Sequence, residues 1–121
     1  EIKLVNDGDE IGFCYMGNEY SYICIKRIDG QNHFQVKKGS FNQVNDEVVF
    51  DSIYQNNEIN FMMKFKYPGN YQLGFNNTFF KDVYTALPGR WIGGKIGIYA
   101  KGLKDSSGYG RFKFFKVKAV K

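Results

Sequence analysis

The sequence predicts an antiparallel β-sandwich with essentially no helix. Three observations carry that expectation. Apolar residues recur with period two, no stretch shows the 3.6-residue repeat of an amphipathic helix, and the alternating runs are bounded by Gly, Asn and Asp. Fourteen glycines against two prolines fit many tight turns rather than rigid linkers. The 12 Phe and 9 Tyr favour pleated, half-buried surfaces. The 121 residues read as a single domain, 1–121, able to bury one modest core.

Taken in order, 10–16 and 20–28 flank Gly17-Asn18 as a hairpin, and 20–28 joins 32–37 across the turn dipeptide Asp29-Gly30. The segment 46–54 reads as a strand. Ile59, Phe61, Met63, Phe65 and Tyr67 share one face of the next, opposite Asn60, Lys64 and Lys66, with Met62 the outlier on the polar side. Tyr71, Leu73 and Phe75 repeat the pattern after Pro68-Gly69-Asn70, so 58–76 is a hairpin. Ile96, Ile98 and Ala100 face one way along 95–101. In the final strand, 109–119, the apolar side switches between Phe114 and Phe115, which implies a bulge or burial on both sides. About eight short strands at regular spacing mean a sandwich or barrel.

The net charge of +5 does not imply nucleic acid. Its lysines alternate with apolar residues, as Lys64 and Lys66 do, which is how a strand with one solvated face is written. No basic run, RNP-like aromatic motif or zinc-finger spacing accompanies them. No stretch approaches the ~20 apolar residues of a membrane-spanning helix. Neither nucleic acid nor membrane is therefore an expected partner.

Catalytic and metal chemistry find little support. One histidine, His33, and two cysteines, Cys14 and Cys24, show no zinc-ligand spacing, and no cofactor is implied. His33 reads as an ordinary residue near a strand end. There is no G-x-S-x-G elbow, and mid-strand thiols behave as small hydrophobes. A two-residue turn at Gly17-Asn18 sets Cys14 opposite Ser21 and Cys24 opposite Ile11, too far apart to bridge, so both thiols are expected free. Sandwich-fold glucanases place acidic residues at i, i+2 and i+4 on one strand face. This chain has no such run. Asp9-Glu10 and Asp46-Glu47 are adjacent pairs that point to opposite faces, and Asp7 and Asp9 read as solvated turn carboxylates around Gly8. No residue is assigned a catalytic role. For sugar binding, Trp91, Tyr15, Tyr20, Tyr99 and Tyr109 are the candidates by residue type, against the competing possibility that each packs within the sandwich.

Two stretches carry a specific resemblance. The first is Asp9-Glu10-Ile11-Gly12-Phe13-Cys14-Tyr15-Met16-Gly17-Asn18-Glu19-Tyr20. The second is Pro88-Gly89-Arg90-Trp91-Ile92-Gly93-Gly94-Lys95-Ile96-Gly97-Ile98-Tyr99-Ala100, followed by Gly108-Tyr109-Gly110-Arg111-Phe112-Lys113-Phe114-Phe115. Together they resemble the C-terminal concanavalin-like sandwich of family 43 glycoside hydrolases, the β-xylosidases and α-L-arabinofuranosidases. The matching residues are structural ones. Gly93-Gly94 would bend the chain into 95–101, Gly97 would admit a close neighbour, and Trp91 would plug one end. Arg111 or Gly110, and Lys113, stand where the family carries Asp, and Glu19 stands where Asp is usual; Lys113 in place of a carboxylate argues against a structural calcium.

The resemblance implies a jelly-roll sandwich that lacks its first strands, so the chain reads as the C-terminal part of a larger glycosidase. It implies a non-catalytic role beside a catalytic β-propeller acting on xylan- or arabinan-type polysaccharide, packing on that domain and shaping its pocket. The expected partners are the propeller or an N-terminal fragment of the same polypeptide, a second copy of the chain, and an oligosaccharide. The start at Glu1-Ile2-Lys3-Leu4-Val5 shows no leader, and a chain that begins inside a longer polypeptide leaves the compartment open. Free thiols lean towards the cytoplasm. A stand-alone carbohydrate-binding module is the alternative.

Overall fold

The computed structural model describes residues 1–17, 19–40, 44–66, 69–85, 95–103, 108–113 and 115–117. Among these there are eleven strands and no helix. In chain order they are β1 (Ile2–Lys3), β2 (Glu10–Met16), β3 (Glu19–Ile28), β4 (Gln31–Ser40), β5 (Glu47–Ile53), β6 (Phe61–Lys66), β7 (Asn70–Phe75), β8 (Thr78–Phe79), β9 (Tyr84–Thr85), β10 (Lys95–Lys101) and β11 (Tyr109–Gly110). All pair antiparallel. A five-stranded sheet runs β10-β2-β3-β4-β5, a four-stranded sheet runs β6-β7-β8 with β9 also on β7, and β1 and β11 form a small ribbon.

Two-residue turns close two of the hairpins. Asp29 (φ 50°) and Gly30 (φ 78°) both adopt the left-handed conformation that matches strand twist, so Ile28 pairs with Gln31. Asn76 (φ 47°) and Asn77 (φ 70°) do the same between β7 and β8, since short amide side chains tolerate that region. The second of these turns, like β1, β8 and β9, has no counterpart in the sequence reading.

Other expectations need correction. The β2–β3 register is one residue longer than a two-residue turn gives: Cys14 faces Tyr22 and Cys24 faces Gly12. A one-residue slip flips a strand's faces relative to its partner. The two thiols therefore share a face as diagonal neighbours rather than lying on opposite faces. Both are free. Of the expected final strand 109–119, the described residues form a strand only at Tyr109–Gly110, paired with β1. Phe112, Phe115 and Val117 beyond it are exposed rather than buried on both sides. Among the described residues Gly97 has no close neighbour on its Cβ side, for a Cβ there would meet none of them within 4 Å. Asp9 is a buried turn carboxylate, 4% exposed, whose Oδ2 accepts from the backbone N–H groups of Val5 and Asn6. Pro68, Trp91, Gly93, Gly94 and Phe114 lie outside the described residues.

The core fills the space between the sheets. Ile11, Tyr15, Ile23, Ile25, Phe34 and Val36 project from the five-stranded sheet onto Tyr71 and Leu73 of β7. Aromatic contacts knit the layers: Phe34 meets Phe75 at 4.3 Å between ring centres, and Tyr15 meets Tyr71 at 4.9 Å. A hydrogen bond crosses as well, between Ser21 Oγ and Tyr71 Oη at 2.6 Å. β6 packs over β2 and β7 over β3. No described strand lies beside β6 on its other edge, over β10, and Ile96 and Ile98 on that inner face stay 40% and 44% exposed.

Candidate functional site

The outer face of the five-stranded sheet is where most chemistry-bearing side chains meet. Period two places Glu10, Gly12 and Cys14 of β2 on that face. Register aligns them with Tyr22, Cys24 and Lys26 of β3, Lys37 and Gln35 of β4, and Tyr99 and Lys101 of β10. Two of its tyrosines stand directly opposite glycines, Tyr99 across from Gly12 and Tyr20 across from Gly39. A Cβ on Gly12 would lie 2.7 Å from Tyr99 Cε1, and one on Gly39 would lie 2.8 Å from Tyr20 Cζ. The missing side chains let both rings lie flat across the strand. Phe79 repeats the device over Gly74 on the other sheet, beside Met62, whose partner is Gly74.

Glu10 is the hub of this face, 1% exposed. It accepts from the Tyr99 hydroxyl at 2.5 Å and pairs with the Lys37 ammonium at 3.4 Å, with Lys101 at 3.9 Å. Lys37 is itself nearly buried and lies over the Tyr22 ring at 5.5 Å. A buried carboxylate so placed must keep its partners, since an unpaired buried charge is expensive. Tyr20 and Tyr22 both donate to Asp46, the former at 2.6 Å. His33 and Gln35 bind Asp51 at 2.8 and 3.1 Å.

These contacts set the titration behaviour. Burial, aided by the neighbouring Cys24 and Glu10, drives the Tyr99 hydroxyl far above its ordinary value. Burial and the Asp46 carboxylate do the same for Tyr22. The Cys24 thiol is pushed up to about 12, by burial first and then by Glu10. Burial also raises Cys14. Such thiols are poor nucleophiles. Burial works to raise Asp46, but the Tyr20 and Tyr22 hydroxyls outweigh it and the carboxyl ends below the usual range. Asp51 is held low by its bond to His33. Among the described residues, no group of three His, Cys, Asp or Glu side chains is placed to hold a metal ion.

The five sugar-binding candidates scatter. Tyr20 and Tyr99 share the outer face, each about 6 Å from Tyr22, which stands between them. Tyr15 is 5% exposed on the inner face and offers no ring to solvent. Tyr109 sits on the β1–β11 ribbon, 41% exposed, and lines a cavity of about 220 Å³ with Asp9, Glu10 and Lys101. Trp91 lies outside the described residues. A larger cavity of about 410 Å³ opens where the ends of the two sheets meet, lined by Glu19, Lys38, Ser40 and Glu47 from one side and Tyr71 and Tyr84 from the other. Sequence reasoning missed it, because residues 19–20, 38–40, 47 and 84 converge only through the topology. The outer-face hub was nearer to hand: following register from strand to strand sets each tyrosine opposite its glycine.

With this geometry in place, the comparison with known families can be stated. The family model of the β-xylosidase C-terminal concanavalin A-like domain matches residues 1–118. The chain belongs to that family. No curated protein and no solved structure matches it. Membership is consistent with an accessory domain of a family 43 glycoside hydrolase and implies attachment to a catalytic domain in the same polypeptide. The all-β fold with antiparallel sheets agrees with the concanavalin-like description.

Proposed function

We propose that this chain is a non-catalytic accessory sandwich of a glycoside hydrolase acting on xylan- or arabinan-type polysaccharide. It packs on the catalytic part of the same polypeptide and shapes its pocket. One observation carries the reading beyond family membership. The flank formed by the inner face of β10 and the outer edge of β6 presents Ile96, Ile98 and Phe65, each at least 40% exposed, beside strand edges that no described strand pairs. Contiguous apolar surface next to an open edge is what another segment covers in a stable assembly. Lysines 64 and 66 on the solvent side of β6 fit an occupant with apolar residues inward and acidic ones outward.

Light scattering tests it. The isolated 121 residues should self-associate as concentration rises, and the parent polypeptide should not. A well-behaved isolated monomer would mean that the chain closes its own sandwich. The isolated chain should also leave aryl xylosides and arabinofuranosides intact. Turnover abolished by Asp9→Asn or Glu10→Gln would overturn the non-catalytic role.

A second reading, oligosaccharide binding by the sandwich itself, is favoured by the cavity between the sheet ends.

A further inference from the structure

We propose that the cavity of about 410 Å³ between the sheet ends binds one unit of a neutral saccharide, with Tyr84 as its apolar platform and Lys38, Glu47, Glu19 and Ser40 as its polar partners. The inference rests on the reading that the chain works beside a polysaccharide substrate.

The size is right for a small ligand, since binding sites for such molecules run from roughly 300 to 1,000 Å³ and combine aromatic walls with a few convergent polar groups. The platform is mounted rigidly. Tyr84 pairs directly opposite Tyr71 in the β7–β9 ladder, and one face of its ring stacks on Tyr71 at 5.4 Å and 26°. Tyr71 is in turn held by Ser21 across the core. Tyr84 thus stands on regular structure fixed from behind, the condition for a preorganised site. It is half-buried and lines the cavity beside Tyr71. Burial, with Asp82 and Glu47 nearby, raises its hydroxyl to about 12, so it remains a proton donor at neutral pH.

The polar wall fixes the ligand class. Lys38 and Glu47 pair at 3.6 Å, both well exposed, so the rim offers an ammonium donor beside a carboxylate acceptor. Neighbouring sugar hydroxyls, each able to donate and accept, match that arrangement. Ser40 adds a hydroxyl, and Glu19 a second carboxylate. Two carboxylates against one ammonium leave the wall negative, which disfavours an anionic sugar.

The test is an amide NMR titration of the 121-residue chain with xylotriose, with arabinotriose and with glucuronate as the anionic probe. At least one neutral sugar should shift Glu19, Ser40, Glu47 and Tyr84, and glucuronate should do so less. Tyr84→Ala should weaken binding at least tenfold, while Tyr84→Phe keeps most of it. If Tyr84→Ala does not fold, Lys38→Met and Glu47→Gln at the exposed rim should each weaken binding several-fold. Silence from both neutral sugars, shifts centred on Tyr99 instead, a stronger response to glucuronate, or unchanged affinity in folded Tyr84→Ala would each overturn the proposal. So would masking of these residues by the catalytic part of the parent polypeptide with no response to sugar. None of those results bears on whether the β6–β10 flank is covered in the parent, which is read separately.

Discussion

Two regions of the five-stranded sheet are written in the same pattern and meet different fates. In β3, Ile23 and Ile25 alternate with outward residues and are wholly buried beneath β7. In β10, Ile96 and Ile98 alternate just as cleanly and remain 40% and 44% exposed, with no described strand above them. Alternation states which side of a strand is apolar. It does not state that anything lies against that side. The β10 flank therefore has the sequence of a core and the environment of a surface, and the role proposed for the chain starts from that mismatch.

The contrast can be broken by substitution. Ile23→Ala in the isolated chain should cost about 2–5 kcal/mol, the ordinary range for truncating a buried aliphatic residue, read from urea unfolding. Ile98→Ala should cost under about 1 kcal/mol there, as surface changes do. Inside the parent polypeptide the two costs should converge. Equal costs in the isolated chain would mean that β10 is already part of a closed core.

The outer face supplies the next largest effect. Glu10→Ala leaves Lys37 buried without its carboxylate and the Tyr99 hydroxyl without its acceptor. Removing one partner of a buried pair costs about 3–5 kcal/mol, so this variant should unfold well below the wild-type urea midpoint. Glu10→Ala behaving like a surface substitution would show that the hub is solvated after all.

Glycines give a smaller and sharper comparison. Gly12→Ala places a Cβ 2.6 Å from the Ile23 carbonyl oxygen, against rigid backbone, and should cost about 1–3 kcal/mol. Gly97→Ala meets none of the described residues and should be neutral or stabilise the isolated chain by about 0.5–1 kcal/mol, since alanine orders more cheaply than glycine in a strand.

The smallest effect is one of pH. Asp46 titrates below its ordinary 3.8 in the folded chain, so its contribution is complete above that value and is lost as the pH falls through the folded pKa. Tyr20→Phe removes one of the hydroxyls that hold it low. The Asp46 carbon resonance should then titrate at higher pH, and stability should fall less between pH 5 and pH 2 than in wild type. An unmoved titration would place the cause elsewhere.

These regions also mark how far the sequence could be read. The long strands, the Asp29-Gly30 turn and the inward faces of β6, β7 and β10 follow from local chemistry alone, because period two and turn residues are written in consecutive positions. The β2–β3 register slipped by one residue because a Gly-Asn pair does not fix loop length, and the slip moved Cys24 onto the face of Cys14. β1, β8 and β9 are two residues each and exist through their partners, so no window of sequence displays them. The outer face was half legible: Tyr20 and Tyr99 were singled out by residue type. The carboxylate and lysine that anchor the face, Glu10 and Lys37, look like ordinary strand charges until register sets them together. The cavity at Tyr84 depends on segments far apart in the chain and was invisible.

The most direct measurement is hydrogen exchange at the β6–β10 flank, compared between the isolated chain and the parent polypeptide. In the isolated chain, the amides of Phe61–Lys66 that β7 leaves unpaired and those on the edge of β10 that no described strand pairs should exchange fast, while Ile23 and Ile25 are protected. In the parent, the flank amides should slow towards the core values. Equal exchange in both contexts would contradict the proposal that the catalytic part of the polypeptide covers this flank.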